Sequence, residues 1–159
     1  MKAALARAYD VLETLSRPLQ SLVLLVFRLY WGWQFFQTGL GKLRNLDHVT
    51  AYFTDLGIPA PGLNAAFVSG LETVGGLLLL LGLASRFIAA PLAFDMVVAY
   101  ATAERQALMS LFSDPAKFIG ADPFFFLLTS VLVLAFGPGA VSLDALIRRR
   151  LAAGPPPPA

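Results

Sequence analysis

Between residues 19 and 137 the chain alternates long apolar runs with short polar breaks, and four of the runs are long enough to be read as membrane spans of about 20 residues. The first, 19–41, holds Arg28 near its middle and has Lys42 just past its end. The second, 63–83, holds Glu72, and the short third, 87–103, holds Pro91 and Asp95. The fourth, 122–137, opens on Asp122 and Pro123, an N-cap followed by a first-turn proline, and stops at Gly137-Pro138-Gly139. The second run survives its carboxylate: eight Leu at about 0.5 kcal/mol each outweigh a penalty of about 3 kcal/mol for Glu72.

Outside the runs the pattern turns amphipathic. Residues 1–18 place Leu5, Ala8, Leu12 and Leu15 on one side, which predicts a surface helix broken at Pro18. This segment is too charged for a secretory signal core and carries no small-residue cleavage site, so it is expected to be retained. Residues 45–56 gather Val49, Tyr52, Phe53 and Leu56 on one side, predicting a short interfacial helix ended by Gly57 and Pro59. The mixed segment 104–121 reads as a lid, an interfacial helix or a partner surface. A brief helix capped by Ser142 leads to a Pro-rich tail, 151–159, expected to be disordered.

Composition agrees with this reading. Of 159 residues 57% are hydrophobic and only 14% charged, against about 25% in soluble domains, and mean hydropathy is +0.70. The fold class expected is an all-α integral membrane protein, a four-transmembrane-helix bundle with short amphipathic interfacial helices in one domain, 1–150. With no Cys and a single His, the chain offers no thiolate, Fe-S or multi-His site, so no haem, Fe-S or zinc is expected. Redox chemistry would have to belong to a bound cofactor or a partner. The net charge of +2 gives no sign of nucleic-acid binding. With the N-terminus inside, seven basic residues lie on inner segments and four on outer ones, which predicts cytoplasmic termini for a multi-pass protein.

The charged residues inside the runs are the candidate chemistry. Arg28, Glu72 and Asp95 each lie eight or nine residues into their span, so all three are expected near the midplane. Arg28, Gly32, Phe35, Gly39 and Lys42 follow helical steps, as do Ser69, Glu72, Gly75, Gly76, Leu79 and Gly82, and Leu92, Asp95 and Ala99. We expect these stripes to face one another. The cluster Arg28, Glu72, Asp95 and Lys42, with Tyr30, Trp31, Gln34, Phe35, Gly39, Gly75 and Gly76 as lining, is either a ligand pocket or a buried ion pair that fixes helix register. No nucleophile-base pair, metal site or phosphate loop is visible, and no catalytic residue is assigned. His48 reads as solvated, and Arg148 to Arg150 as a positive-inside anchor with anionic-lipid binding as the lesser reading.

The stretches FRLYWGWQFFQTGLGKL, LGIPAPG, LETVGGLLLLLGLASR and FGPGAVSLDALIRRR resemble the DoxX family of small four-span bacterial inner-membrane proteins, over residues 22–150. The resemblance implies a membrane subunit associated with an oxidoreductase system and more plausible as a non-catalytic subunit than as an enzyme by itself. It further implies a quinone or other hydrophobic small molecule as ligand. The partners expected are the lipid bilayer, a membrane or soluble oxidoreductase, and a second copy of the chain. A small transport or proton-conducting module and a purely structural scaffold are the alternatives.

Overall fold

The computed structural model describes residues 2–152, with side chains from Leu12 onward. The described residues form eight helices and no strand: α1 Lys2–Arg44, α2 Leu46–Asp55, α3 Pro61–Leu81, α4 Ser85–Thr102, α5 Arg105–Met109, α6 Pro115–Ile119, α7 Pro123–Phe136 and α8 Leu143–Ala152. Residues 153–159 of the expected tail lie outside the described residues, while Leu151 and Ala152 belong to α8.

Pro18 does not separate a surface helix from the first apolar run, because α1 continues through it. Proline removes one backbone hydrogen bond and crowds the carbonyl four residues back, at about 3 kcal/mol. In a helix of 43 residues every other turn keeps its bonds, and propagation is easy once the helix exists. Asp122 occupies the N-cap position of α7, but its side chain caps nothing. Ser142 does cap, accepting from the amide of Ala145 at 3.1 Å.

The most extensive packing is α1 on α3 and α4 on α7, with α3 against α4 and α2 against α3 joining the pairs. Glycines make the first of these close. A Cβ on Gly76 would collide with the amide of Phe36 and lie 2.7 Å from the carbonyl of Gly32; one on Gly39 would strike the amide of Thr73 and lie 2.6 Å from its hydroxyl. Small residues that bring backbones together are what helix association in lipid requires, since apolar side chains gain little by leaving lipid for each other. Phe35, Leu79, Ala89, Leu92, Met96 and Val133 form the core.

The distribution of side chains is inverted relative to a soluble domain. Arg28, Ser69, Glu72, Ser85, Asp95, Thr129 and Ser130 are buried, whereas Leu22, Val26, Leu29, Leu63, Phe67, Phe94 and Val131 are exposed. Three of the buried hydroxyls bond their own helix: Ser69 to Ala65 at 2.6 Å, Thr129 to Phe125 at 2.8 Å and Ser130 to Phe126 at 2.9 Å. Among the described residues, Pro61–Leu81 is the one helix both long and apolar enough to cross a membrane. Apolar α7 has 14 residues, about 21 Å of rise. One tight turn joins α3 to α4: Gly82 caps α3 in the left-handed region at φ 69°, and Ala84 enters α4 at φ 49°.

Candidate functional site

Lys42, at the end of α1, donates to Glu72 Oε1 at 2.6 Å. The lysine is partly exposed at 35%, while the glutamate is buried at 3%. The close approach of Gly39 to Thr73 and Glu72 positions the pair, because it lets the lysine one turn further on reach across α3. Glu72 Oε2 and Asp95 Oδ2 are both buried without a hydrogen-bond partner in the protein. Such oxygens are costly unless something donates to them.

Both carboxylates open onto a cavity of about 680 Å³. Its walls combine Trp31, Gln34 and Thr38 of α1, Val68 of α3, Met96 and Ala99 of α4, and Phe125 and Phe126 of α7. Trp31 stacks on Phe125 with centroids 5.1 Å apart and planes 8° from parallel, and Phe126 meets Trp31 edge-on at 5.0 Å. These rings form an aromatic wall facing a polar head. The lining also takes in His48, Val49, Tyr52, Phe53 and Leu56 of α2, with Ile119, Gly120 and Ala121. The apolar stripe that the sequence assigns to an interface thus lines the cavity, and His48 borders it while staying exposed, in keeping with its reading as solvated.

Arg28 is not in this cluster. It is 2% exposed and donates to the carbonyls of Pro138 and of Val141, the latter at 2.7 Å. The expectation that it faces Glu72 fails for a geometric reason. Gly76 packs at the level of Phe36, Gly39 at Thr73 and Gly82 at Arg28, so the two helices run antiparallel. In that register Glu72 lies level with Gly39 and Leu40, well beyond Arg28 along α1 and roughly 17 Å from it along the axis. The neighbour of Arg28 is instead Gly82, where a Cβ would lie 2.7 Å from Nη1.

Of the remaining lining residues expected from sequence, Trp31 and Gln34 reach the cavity. Tyr30 points outward at 57% exposure, as does Trp33, and Phe35 belongs to the core. Gly39 and Gly76 serve the α1–α3 crossing, and Gly75 faces the ends of Leu92 and Ile88 on α4. Sequence reasoning missed Thr38, Met96, Phe125 and Phe126; for Thr38 and Met96 the signal was helical proximity to Lys42 and Asp95.

Around Arg28 the chain builds a second polar assembly. The Asp144 amide donates to the Gly82 carbonyl at 2.9 Å, and its carboxylate accepts from the amides of Ala84 at 2.8 Å and Ser85 at 2.9 Å. Burial works to raise the Asp144 pKa, but the donating amides of Ser85 and Ala84 outweigh it and hold the carboxyl below its ordinary value. Arg86 donates to the Ala135 carbonyl at 3.3 Å.

The sequence model of the DoxX family matches residues 23–105, a stretch that includes Arg28, Lys42, Glu72 and Asp95. The chain is 33% identical over 138 residues to "Uncharacterized membrane protein Rv3486" of Mycobacterium tuberculosis, covering 79% of this chain and 82% of that protein. It is 28% identical over 123 residues to "Putative oxidoreductase CatD" of Bacillus subtilis, covering 77% of this chain and 85% of that one. No solved structure matches.

Proposed function

The chain belongs to the DoxX family of membrane proteins, and from that premise we propose that it is a multi-pass inner-membrane subunit of an oxidoreductase system. In this reading it holds a quinone or another small hydrophobic molecule beside Lys42, Glu72 and Asp95. The apolar half of α1 with α3, α4 and α7 would supply four spans, and the excess of basic residues on inner segments supports cytoplasmic termini. The oxidoreductase name carried by the Bacillus subtilis relative supports the association.

One observation carries the ligand proposal: a cavity of about 680 Å³ joins a stacked aromatic wall to two buried carboxylate oxygens without protein partners. A flat ring fits against Trp31 and Phe125. Lys42 keeps N–H groups beyond the one given to Glu72 and can donate to a ring carbonyl. Glu72 Oε2 and Asp95 Oδ2 can accept from a ring hydroxyl and hold its proton. The chain thus offers binding, orientation and proton acceptance, while electrons would pass to a partner.

Organic extraction of the purified protein tests this. A quinone recovered from the wild type and depleted in Glu72→Gln supports the proposal, and no recovered quinone with unchanged binding in Glu72→Gln overturns it. The same buried carboxylates favour a second reading, a proton-conducting module. Proton flux into liposomes that Asp95→Asn and Glu72→Gln leave unchanged would exclude it.

A further inference from the structure

At the end of the bundle away from the Glu72 cavity, a recess of about 500 Å³ lies between the first apolar turns of α1, the α3–α4 turn, the end of α7 and α8. Arg17, Arg86 and Arg148 line it, and the acid among them is Asp144. Both oxygens of Asp144 already accept amides of the α4 N-terminus, so that helix end is capped from within the chain. Each guanidinium spends little of its donor capacity: Arg86 on the Ala135 carbonyl, Arg148 on the Asp144 carbonyl at 3.4 Å, and Arg17 on Glu13 at 3.0 Å. Arg17 is ion-paired with Glu13, whereas Arg86 and Arg148 bring two planar forks with N–H groups to spare to one recess, and such forks suit the oxygens of a phosphate.

The flank of the recess identifies the rest of the ligand. Phe87, next to Arg86, is 87% exposed, and Phe136 is 57% exposed, and both line the recess. A soluble anion would gain nothing from two bare phenyl rings, whereas an amphiphile would lay its chain along them. We infer that this recess is a specific site for the phosphate headgroup of an anionic phospholipid, with Arg86 and Arg148 holding the phosphate, Arg17 adding positive charge, and Phe87 and Phe136 guiding the acyl chain. The site is independent of the cavity around Glu72 and stands whether or not that cavity binds a quinone.

Native mass spectrometry of the full chain in detergent, titrated with dioleoyl phosphatidylglycerol or phosphatidylcholine, tests it. The phosphatidylglycerol adduct should appear at about tenfold lower lipid concentration. Arg86→Gln with Arg148→Gln should abolish the difference. Arg148→Gln alone, whose lost hydrogen bond lies within its own helix, should weaken phosphatidylglycerol about fivefold and leave the thermal unfolding midpoint unchanged. Arg149→Gln, outside the recess, should change nothing. Equal affinity for the two lipids would overturn the inference, as would an Arg149→Gln loss equal to that of Arg148→Gln. Complete displacement of the lipid by millimolar inorganic phosphate would overturn it too, in favour of a soluble-anion site.

Discussion

Lys42 meets Glu72 at 2.6 Å through one carboxylate oxygen, and the other oxygen of Glu72 stays buried without a protein partner beside the cavity. The lysine reaches the buried glutamate because it lies at the end of α1, one turn beyond the glycine that α3 crowds. The pair therefore serves both the helix packing and the head of the cavity.

Removing the lysine leaves the buried Glu72 charge uncompensated, so Lys42→Met should destabilise the protein by about 3 kcal/mol. The double replacement Lys42→Met with Glu72→Leu should recover most of that loss, since the charge that Lys42 compensates is gone as well. Thermal or denaturant unfolding in a fixed detergent measures both.

Gly76→Ala should cost more than 1 kcal/mol, because its Cβ would meet backbone of α1 that cannot yield without separating the helices. Gly70→Ala, on the same helix with open space around its Cβ, should be neutral or stabilising by up to about 1 kcal/mol through helix propensity. Equal effects of the two substitutions would remove the argument for a glycine-controlled crossing.

Asp144→Ala should cost about 1 kcal/mol, the usual worth of a helix cap, by freeing the amides of Ala84 and Ser85. The Asp144 carboxyl has a lowered pKa in the folded state. Its stabilisation is therefore complete above the unfolded value, about 3.9, and is lost as pH falls through the lower folded value. Wild-type stability should decline along that acid limb more steeply than that of Asp144→Ala, as unfolding midpoints measured from pH 6 to pH 3 would record.

The chain lacks cysteine, so single introduced thiols report topology without background. Asp55→Cys should react with a membrane-impermeant maleimide in intact cells, and Arg150→Cys only after the cells are opened. The reverse pattern would invert the proposed orientation.

Much of this arrangement is legible along the chain, and particular residues show where legibility ends. Helices α3, α4 and α7 begin and end within two residues of the apolar runs at 63–83, 87–103 and 122–137, because proline, glycine and polar turns bound each run. Glu72 and Asp95 stand out as carboxylates in apolar helices, and the structure brings both to one cavity. Arg28 stands out equally, yet its place depends on where antiparallel helices cross, and depth counted from each helix's own start does not contain that register. The stripe on α2 announces one apolar side, but whether lipid or protein covers it is decided by α2 packing on α3. The continuity of α1 through Pro18 reflects helix length on both sides of the proline rather than the local signal.

In the proposed function a flat, hydroxyl- or carbonyl-bearing ring binds between Trp31 and the Glu72–Asp95 carboxylates. Titration of the purified protein with a short-chain quinone, followed by tryptophan fluorescence, tests it most directly, with Trp33→Phe used so that Trp31 alone reports. Saturable quenching in Trp33→Phe, weakened about tenfold or more by adding Glu72→Gln with Asp95→Asn, is the predicted result. Quenching that rises linearly without saturation, or that is identical with and without the two carboxylates, would contradict it.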